Sequence, residues 1–377
     1  MNSNTLHMLV SLGLFLVISL AYRFLLPFGD EPDFTVRTVE IQMIDSIWSP
    51  YYWISGLTQE INIISECQVN ATPLSLSAQI DHATCSEPIW QVLTRWLITL
   101  FIALPFIVCL FFKLDKSAND SHRKVALSLS LLFPGFIYYL GLFSHEQLTL
   151  ILSVLIFLFF KNIVIVGLLL LLTLSVDVGN GVVVLFFIAS LLLYRKVFSV
   201  YHWKGVIVTS FFQVLIVLTL GYTVLMYTSS FDLIAGKSQA MYELLDQSDL
   251  VDKYPVLLRP VITFMTFLIF TPFFVKVPLV YVIVGLVSIV AIIKLIRYCS
   301  KNNSIEQQAS LLEMYVALLV IVSFVFMFPN YNNAKYYIFL LPFIMMPFVE
   351  VLGKFKILLF FVSLNALIIL HLIYFRL

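Results

Sequence analysis

Three carboxylates crowd the end of an apolar run, where Gly29-Asp30-Glu31-Pro32-Asp33-Phe34 follows directly on residues 6–28. Like charges held together at a low-dielectric boundary keep protons more readily than isolated ones. A carboxylate there is suited to accept a proton from a sugar hydroxyl as that hydroxyl attacks an anomeric carbon. Inverting transfer of a glycosyl group needs one such base and a means of stabilising the departing phosphate. The same residues also read as a solvated acidic stop at the end of a span.

Cations that could hold a phosphate are few. Arg259 opens an apolar segment, Lys335 opens another and stands beside Tyr336, Arg23 lies one to two turns before Asp30, and Arg95 opens a further run. An ionisable residue within a membrane marks a functional site by default. For Arg23 and Arg95 the competing reading is snorkelling to the headgroups. Ser144-His145-Glu146 falls between two apolar runs and offers a further acid, with His145 equally a plain turn residue. The run Glu243, Asp246, Asp249, Asp252 reads as the solvated face of a short helix. Asp177-Val178-Gly179-Asn180-Gly181 reads as a simple turn between spans. His82 and His371 have no partners at metal-ligand spacing, so no metal site is expected. No bound cofactor is implied, although a divalent cation could assist phosphate departure.

The elements that must position these residues are membrane spans. Hydrophobic residues make up 61% of the 377 and charged ones 11%, against about 25% charged in soluble domains. Lipid must be the main solvent for such a chain. The expected fold is an all-α polytopic membrane protein, a single membrane domain over 1–377 with about eleven spans. They fall at 6–28, 95–113, 125–143, 147–160, 162–176, 181–194, 205–228, 277–298, 310–329, 335–353 and 356–375. The fourth to sixth are short and call for little tilt or a thinned surrounding. The first run has no basic leader and no small-residue cleavage site, so it reads as a retained span.

Basic residues orient the spans. A cytoplasmic N-terminus puts Lys113, Lys116, Arg123, Lys124, Lys161, Arg195, Lys196, Lys204, Lys294, Arg297, Lys301, Lys354 and Lys356 inside, thirteen of the 22 Lys+Arg. Residues 257–275 are apolar but contain Pro260 and Pro272, and counting them as a span would divide the 22 evenly. They are therefore expected to lie at the outer interface. Two external loops follow, 29–94 with interfacial helices and 229–276 with the interfacial segment. Cys67 and Cys85 both fall in the first and could pair, closing a loop of about 19 residues worth roughly 3 kcal/mol, or remain free thiols.

Short, basic inside loops leave no room for a nucleotide-binding domain, and no Gly-rich phosphate loop occurs. No basic stretch could neutralise several phosphates, which excludes a nucleic-acid partner. Any chemistry is then external, where a polyprenyl-linked sugar is the ready activated donor.

Asp30-Glu31 at the outer end of the first span resembles the signature of the GT-C superfamily of polyprenol-dependent glycosyltransferases, which includes protein O-mannosyltransferases and lipid A aminoarabinose transferases. The resemblance implies Asp30 as catalytic base, with Glu31 as its neighbour or an acceptor-binding group. The long loop 29–94, rich in Trp48, Tyr51, Tyr52 and Trp53, is similar to that family's first external loop. Ser144-His145-Glu146 matches an acidic residue common in its second. Pro329-Asn330-Tyr331, then Lys335-Tyr336-Tyr337 and Pro342, is similar to a late R-Y…P pattern with Lys in place of Arg. Lys neutralises a phosphate as a point charge but cannot grip it bidentately. The implied substrate-binding set is Asp33, His145, Glu146, Arg259, Lys335 and Tyr336. The implied partners are a polyprenyl-phosphate sugar and a glycan, lipid or protein acceptor, with the active site on the periplasmic face of a bacterial inner membrane. A second resemblance is to O-antigen-type polymerases, which share the span count but usually rely on external arginines. A lipid-linked sugar flippase or transporter is the remaining alternative, marked by discontinuous helices and charges buried in spans.

Overall fold

The computed structural model describes residues 3–25, 89–112, 118–141, 145–228, 278–301, 305–327 and 337–376. Among them no strand occurs. In chain order the helices are α1 (Ser3–Leu25), α2 (Ile89–Phe112), α3 (Ala118–Ser130), α4 (Pro134–Leu140), α5 (His145–Leu158) and α6 (Ile163–Val176). They continue with α7 (Val178–Thr228), α8 (Pro278–Lys301), α9 (Ile305–Met327), α10 (Leu341–Leu352) and α11 (Lys354–Arg376). Where the expected spans lie within the described residues they are helical, apart from the break between α3 and α4. Among the described residues five helical stretches are long and apolar enough to cross a membrane: Asn4–Leu25, Val92–Leu110, Gly179–Val217, Gln308–Val325 and Lys354–Ile373. The chain is an all-α protein of membrane-spanning character. Its residues divide into two compact units, 1–184 with 348–377, and 185–347.

In the first unit α1 is the central helix and packs against α2, α3, α4 and α11. Helix α5 packs on α2, α3, α4 and α6. Hydrogen bonds show which ends lie together. Asn4 donates to the Ser121 hydroxyl (2.8 Å) and accepts from Lys354 Nζ (2.8 Å), so α1, α3 and α11 all begin at one end. Arg123 lies over the Phe157 ring at 5.0 Å and donates to the Phe157 carbonyl at 3.4 Å. That places the end of α5, and with it Lys161, at the same end. This end therefore carries Arg123, Lys124, Lys161, Lys354 and Lys356.

Helices α3 and α4 follow one another across a break, where one unbroken span was expected at 125–143. Phe133 is extended (φ −66°, ψ 130°), and Pro134 starts α4 with no side-chain cap. Proline supplies no N–H and excludes helical geometry from the residue before it. The break sits in a wholly buried stretch, where a free carbonyl has no water to turn to. Asn365 of α11 answers it. Its Nδ2 donates to the Leu132 carbonyl at 2.7 Å, and its Oδ1 accepts the Tyr22 hydroxyl of α1 at 2.6 Å.

In the second unit α7 is two helices folded back on each other at His202 (φ 52°, ψ −153°). The arms run antiparallel. Gln213 donates to Ser190 at 3.1 Å, these two lying almost equally far from His202 on opposite arms, and Phe198 meets Trp203 edge-on at 5.4 Å. The fold needs Gly205: a Cβ there would lie 2.4 Å from Tyr201 Cβ and 3.1 Å from Val197 Cγ1. Helix α9 packs on both arms. Tyr315 donates to Ser210 (2.8 Å), Trp203 meets Tyr315 at 5.8 Å, and Phe186 meets Phe324 at 5.5 Å. Arg195, 40% exposed, pairs at 2.6 Å with Glu313, 3% exposed. Removing one partner of such a pair takes the neighbouring charge away from a buried one. Arg195→Ala should lower stability in a denaturant titration by about 2 kcal/mol, and Arg195→Ala with Glu313→Leu should regain most of it. Equal losses in the single and double variants would show that the pair does not anchor α9.

Candidate functional site

The end of the first unit away from Asn4 collects a second set of polar groups, of which Arg23 is the basic member. Trp96 Nε1 of α2 donates to the Ser19 hydroxyl of α1 at 3.0 Å. Gln147, in the first turn of α5, donates from one nitrogen to the Thr99 carbonyl (2.9 Å) and the Leu140 carbonyl (3.0 Å). One side chain thereby ties α5 to α2 and to the end of α4. Amide bonds of this kind hold helices together in an apolar interior.

Arg23 and Glu146 stand in this region. Arg23 lies one turn beyond Ser19 and is 2% exposed, and Glu146 is 4% exposed. Snorkelling is thus overturned for Arg23. Its guanidinium is buried, whereas Val17 and Phe24 of the same helix are exposed. Glu146 is in the first helical turn of α5, not in the connection before it. A carboxylate at a helix N-terminus is favoured by the backbone dipole.

Asp177 and Asn180 complete the polar end. Asp177 Oδ1 accepts the Gly179 N–H at 2.9 Å, and Oδ2 accepts Asn180 Nδ2 at 3.0 Å. Asn180 Nδ2 also reaches Thr149 Oγ1 of α5 at 3.5 Å. This is how Ser, Asp and Asn side chains cap a helix start. Gly181 must be small, since a Cβ would stand 2.8 Å from Leu174 Cα. The simple-turn reading of Asp177 therefore accounts for every contact described.

Of the expected site residues, Glu146 is the one whose side chain is described. His145 opens α5. Asp30, Glu31, Asp33, Arg259, Lys335, Tyr336, Cys67 and Cys85 lie outside the described residues, as does the segment 257–275. Two side chains central to this unit had no place in the sequence reading: Gln147 and Asn365. Each is a lone amide within or bordering an apolar run, which was the available signal. Among the described residues no group of three His, Cys, Asp or Glu could hold a metal ion.

Comparison with protein-family models, curated proteins and solved structures finds no match.

Proposed function

We propose that this protein is a membrane glycosyltransferase of the GT-C kind. It moves a sugar from a polyprenyl-phosphate donor to a glycan, lipid or protein acceptor on the periplasmic face of a bacterial inner membrane. The observation that carries the reading is the pairing of chain order with burial. Arg23, buried at 2% exposure in the last turns of α1, lies one to two turns before Asp30 in sequence. A buried cation shortly ahead of a carboxylate triad in the chain supplies the two kinds of charge that inverting transfer from a phosphate requires.

The two ends of the first unit support the orientation. Arg123, Lys124, Lys161, Lys354 and Lys356 mark one end as cytoplasmic by the positive-inside rule. The end holding Glu146 and Asp177 is then periplasmic, the side toward which α1 runs. Counting the two arms of α7 separately, and α3 with α4 as one broken span, gives about eleven crossings. Asp30 is the base, Arg23 faces the leaving phosphate, and Arg259 and Lys335 add positive charge from later segments.

One observation favours a second reading. A helix broken at membrane depth, as at Leu131–Phe133, is the device by which transporters build substrate sites. Surface glycans of a deletion strain, complemented with the natural chain or with Asp30→Asn, separate the readings. Loss of a single sugar in both the deletion and Asp30→Asn strains is the expected result. A ladder collapsed to one repeat unit points to a polymerase. A normal profile with Asp30→Asn removes the assignment of Asp30.

A further inference from the structure

The two arms of α7 meet along a seam that is polar within an otherwise apolar hairpin. Ser190 and Tyr194 lie one turn apart on the first arm, and Ser210 and Gln213 lie one turn apart on the second. The bond from Gln213 to Ser190 sets the register and puts Tyr194 about level with Ser210. Tyr194, Ser190 and Ser210 are all buried. Yet two buried atoms of this patch have no hydrogen-bond partner among the described residues: the Tyr194 hydroxyl and Gln213 Oε1. An unpaired polar atom enclosed between spans costs free energy that hydrocarbon cannot repay.

Both atoms are carried into the same interval. A helical side chain leans toward the N-terminal end of its own helix. On antiparallel arms those directions are opposite, so Tyr194 leans toward the Ser190–Gln213 level while Gln213 leans toward the level of Tyr194. Their neighbours do not serve them. Ser210 stands close to the Tyr194 hydroxyl without hydrogen-bonding it. It accepts from Tyr315 at 2.8 Å instead, and gives its own hydrogen to the Val206 carbonyl at 2.7 Å. Ser190 is engaged by Gln213 Nε2, and that bond fixes the plane of the amide. Exchanging the amide oxygen and nitrogen would only leave an N–H unpaired in place of the oxygen.

We propose that a single water molecule is bound between the arms of α7, accepting a hydrogen bond from the Tyr194 hydroxyl and donating one to Gln213 Oε1. Water matches this pair because it takes from a donor and gives to an acceptor at once, and a buried water makes about three such bonds. The remaining lone pair of Ser210 receives its second hydrogen. A metal cation suits the seam poorly. None of Ser190, Tyr194, Ser210, Gln213 and Tyr315 brings a negative charge to offset one in hydrocarbon, and Glu313 of α9 pairs with Arg195. The arms are thereby joined directly at Ser190–Gln213 and, one turn nearer the reversal, through water. A water-mediated bond is nearly as favourable in enthalpy as a direct one, so the bound water helps to hold the hairpin closed.

The test uses the full chain in phosphatidylcholine vesicles, isotope-labelled at the tyrosine ζ carbon and the glutamine side-chain nitrogen. Solid-state NMR spectra are recorded with magnetisation that starts on water protons. The Tyr194 signal is identified by its loss in Tyr194→Phe, and that of Gln213 by its loss in Gln213→Leu. Water magnetisation is expected to reach both residues, and its transfer to Tyr194 to be lost in Gln213→Leu while the exposed Tyr201 is unchanged. A Tyr194 signal that water does not reach in the natural chain overturns the proposal, because the two side chains would then bond each other directly. Transfer to Tyr194 that survives Gln213→Leu overturns it too, since Gln213 would not be holding the water. So does a Tyr194 signal that shifts when sodium replaces choline in the buffer, which would make a cation the ligand. Should Gln213→Leu fail to fold, transfer to Tyr194 in the natural chain, or its absence, decides alone.

Discussion

Gly205→Ala unfolds at distinctly lower denaturant than the natural chain, by about 3 kcal/mol in stability, whereas His202→Gly three residues earlier is stabilising. The two signs follow from one turn. The arms of α7 reverse within a single residue, and the reversal brings residue 205 against its own predecessor at 201. In a continuous helix the Cβ atoms four residues apart stand about 5–6 Å from one another. Here an added Cβ would meet Tyr201 Cβ at 2.4 Å, and that atom is fixed to the backbone and cannot swing away. Relief requires the arms to spread, which pulls Gln213 from Ser190 and loosens Tyr315 from Ser210.

His202 carries the opposite burden. Its φ of 52° with ψ of −153° lies where a side chain is resisted, at about 1–3 kcal/mol for a residue other than glycine. Glycine removes that strain but loses more entropy on folding, by about 0.5–1 kcal/mol, so the net gain from His202→Gly is about 1 kcal/mol. Denaturant titration of the detergent-solubilised protein reads both. Two variants that shift stability in the same direction would mean that the arms are not folded back at His202.

That turn also shows where sequence reasoning reached its limit. Apolar runs located every described helix, because spans in lipid must be apolar and about 20 residues long whatever they pack against. Residues 195–204 read as a basic connection between two spans, which held for the direction of the chain. What the pattern missed was its tightness. Tyr201-His202-Trp203-Lys204 has none of the Gly, Pro, Asn or Asp that mark turns, and the glycine the turn needs falls after it, inside the next helix. At 125–143 the expected unbroken span carried its own warning in Pro134.

The candidate site was legible by residue type and not by burial. An apolar helix face toward lipid and one toward a neighbouring helix have the same composition, since both surroundings are hydrocarbon. Nothing in Val17-Ile18-Ser19-Leu20-Ala21-Tyr22-Arg23 states which way Arg23 points. Only packing does, and it turns Tyr22 and Arg23 inward together, at 4% and 2% exposure. Gln147 and Asn365 were passed over for a related reason. An amide has no charge to flag it, and its importance lies in the carbonyls it meets, which belong to distant helices.

Asn365→Leu should therefore be among the most damaging changes in the first unit, at about 3 kcal/mol. Its Nδ2 hydrogen-bonds the Leu132 carbonyl left free by the break before Pro134, and also the Phe361 carbonyl of its own helix. Its Oδ1 holds the Tyr22 hydroxyl at 2.6 Å. Leucine keeps the volume and removes all three bonds, leaving a hydroxyl and a carbonyl buried without water. Hydrogen bonds between membrane helices average only about 0.6 kcal/mol. That average describes carbonyls still paired within their helices, whereas the Leu132 carbonyl is at a break. Tyr22→Phe, which leaves the Asn365 bonds to Leu132 and Phe361 in place, should cost about 1 kcal/mol. The double variant should then be less damaged than the two losses combined, because Asn365→Leu with Tyr22→Phe no longer strands a hydroxyl. Asn365→Asp should cost less than Asn365→Leu: burial keeps the carboxyl protonated, so its O–H can donate to the Leu132 carbonyl while the other oxygen accepts the Tyr22 hydroxyl. Strictly additive losses in the double variant would show that the two side chains act independently, and that the break between α3 and α4 is held by something other than Asn365.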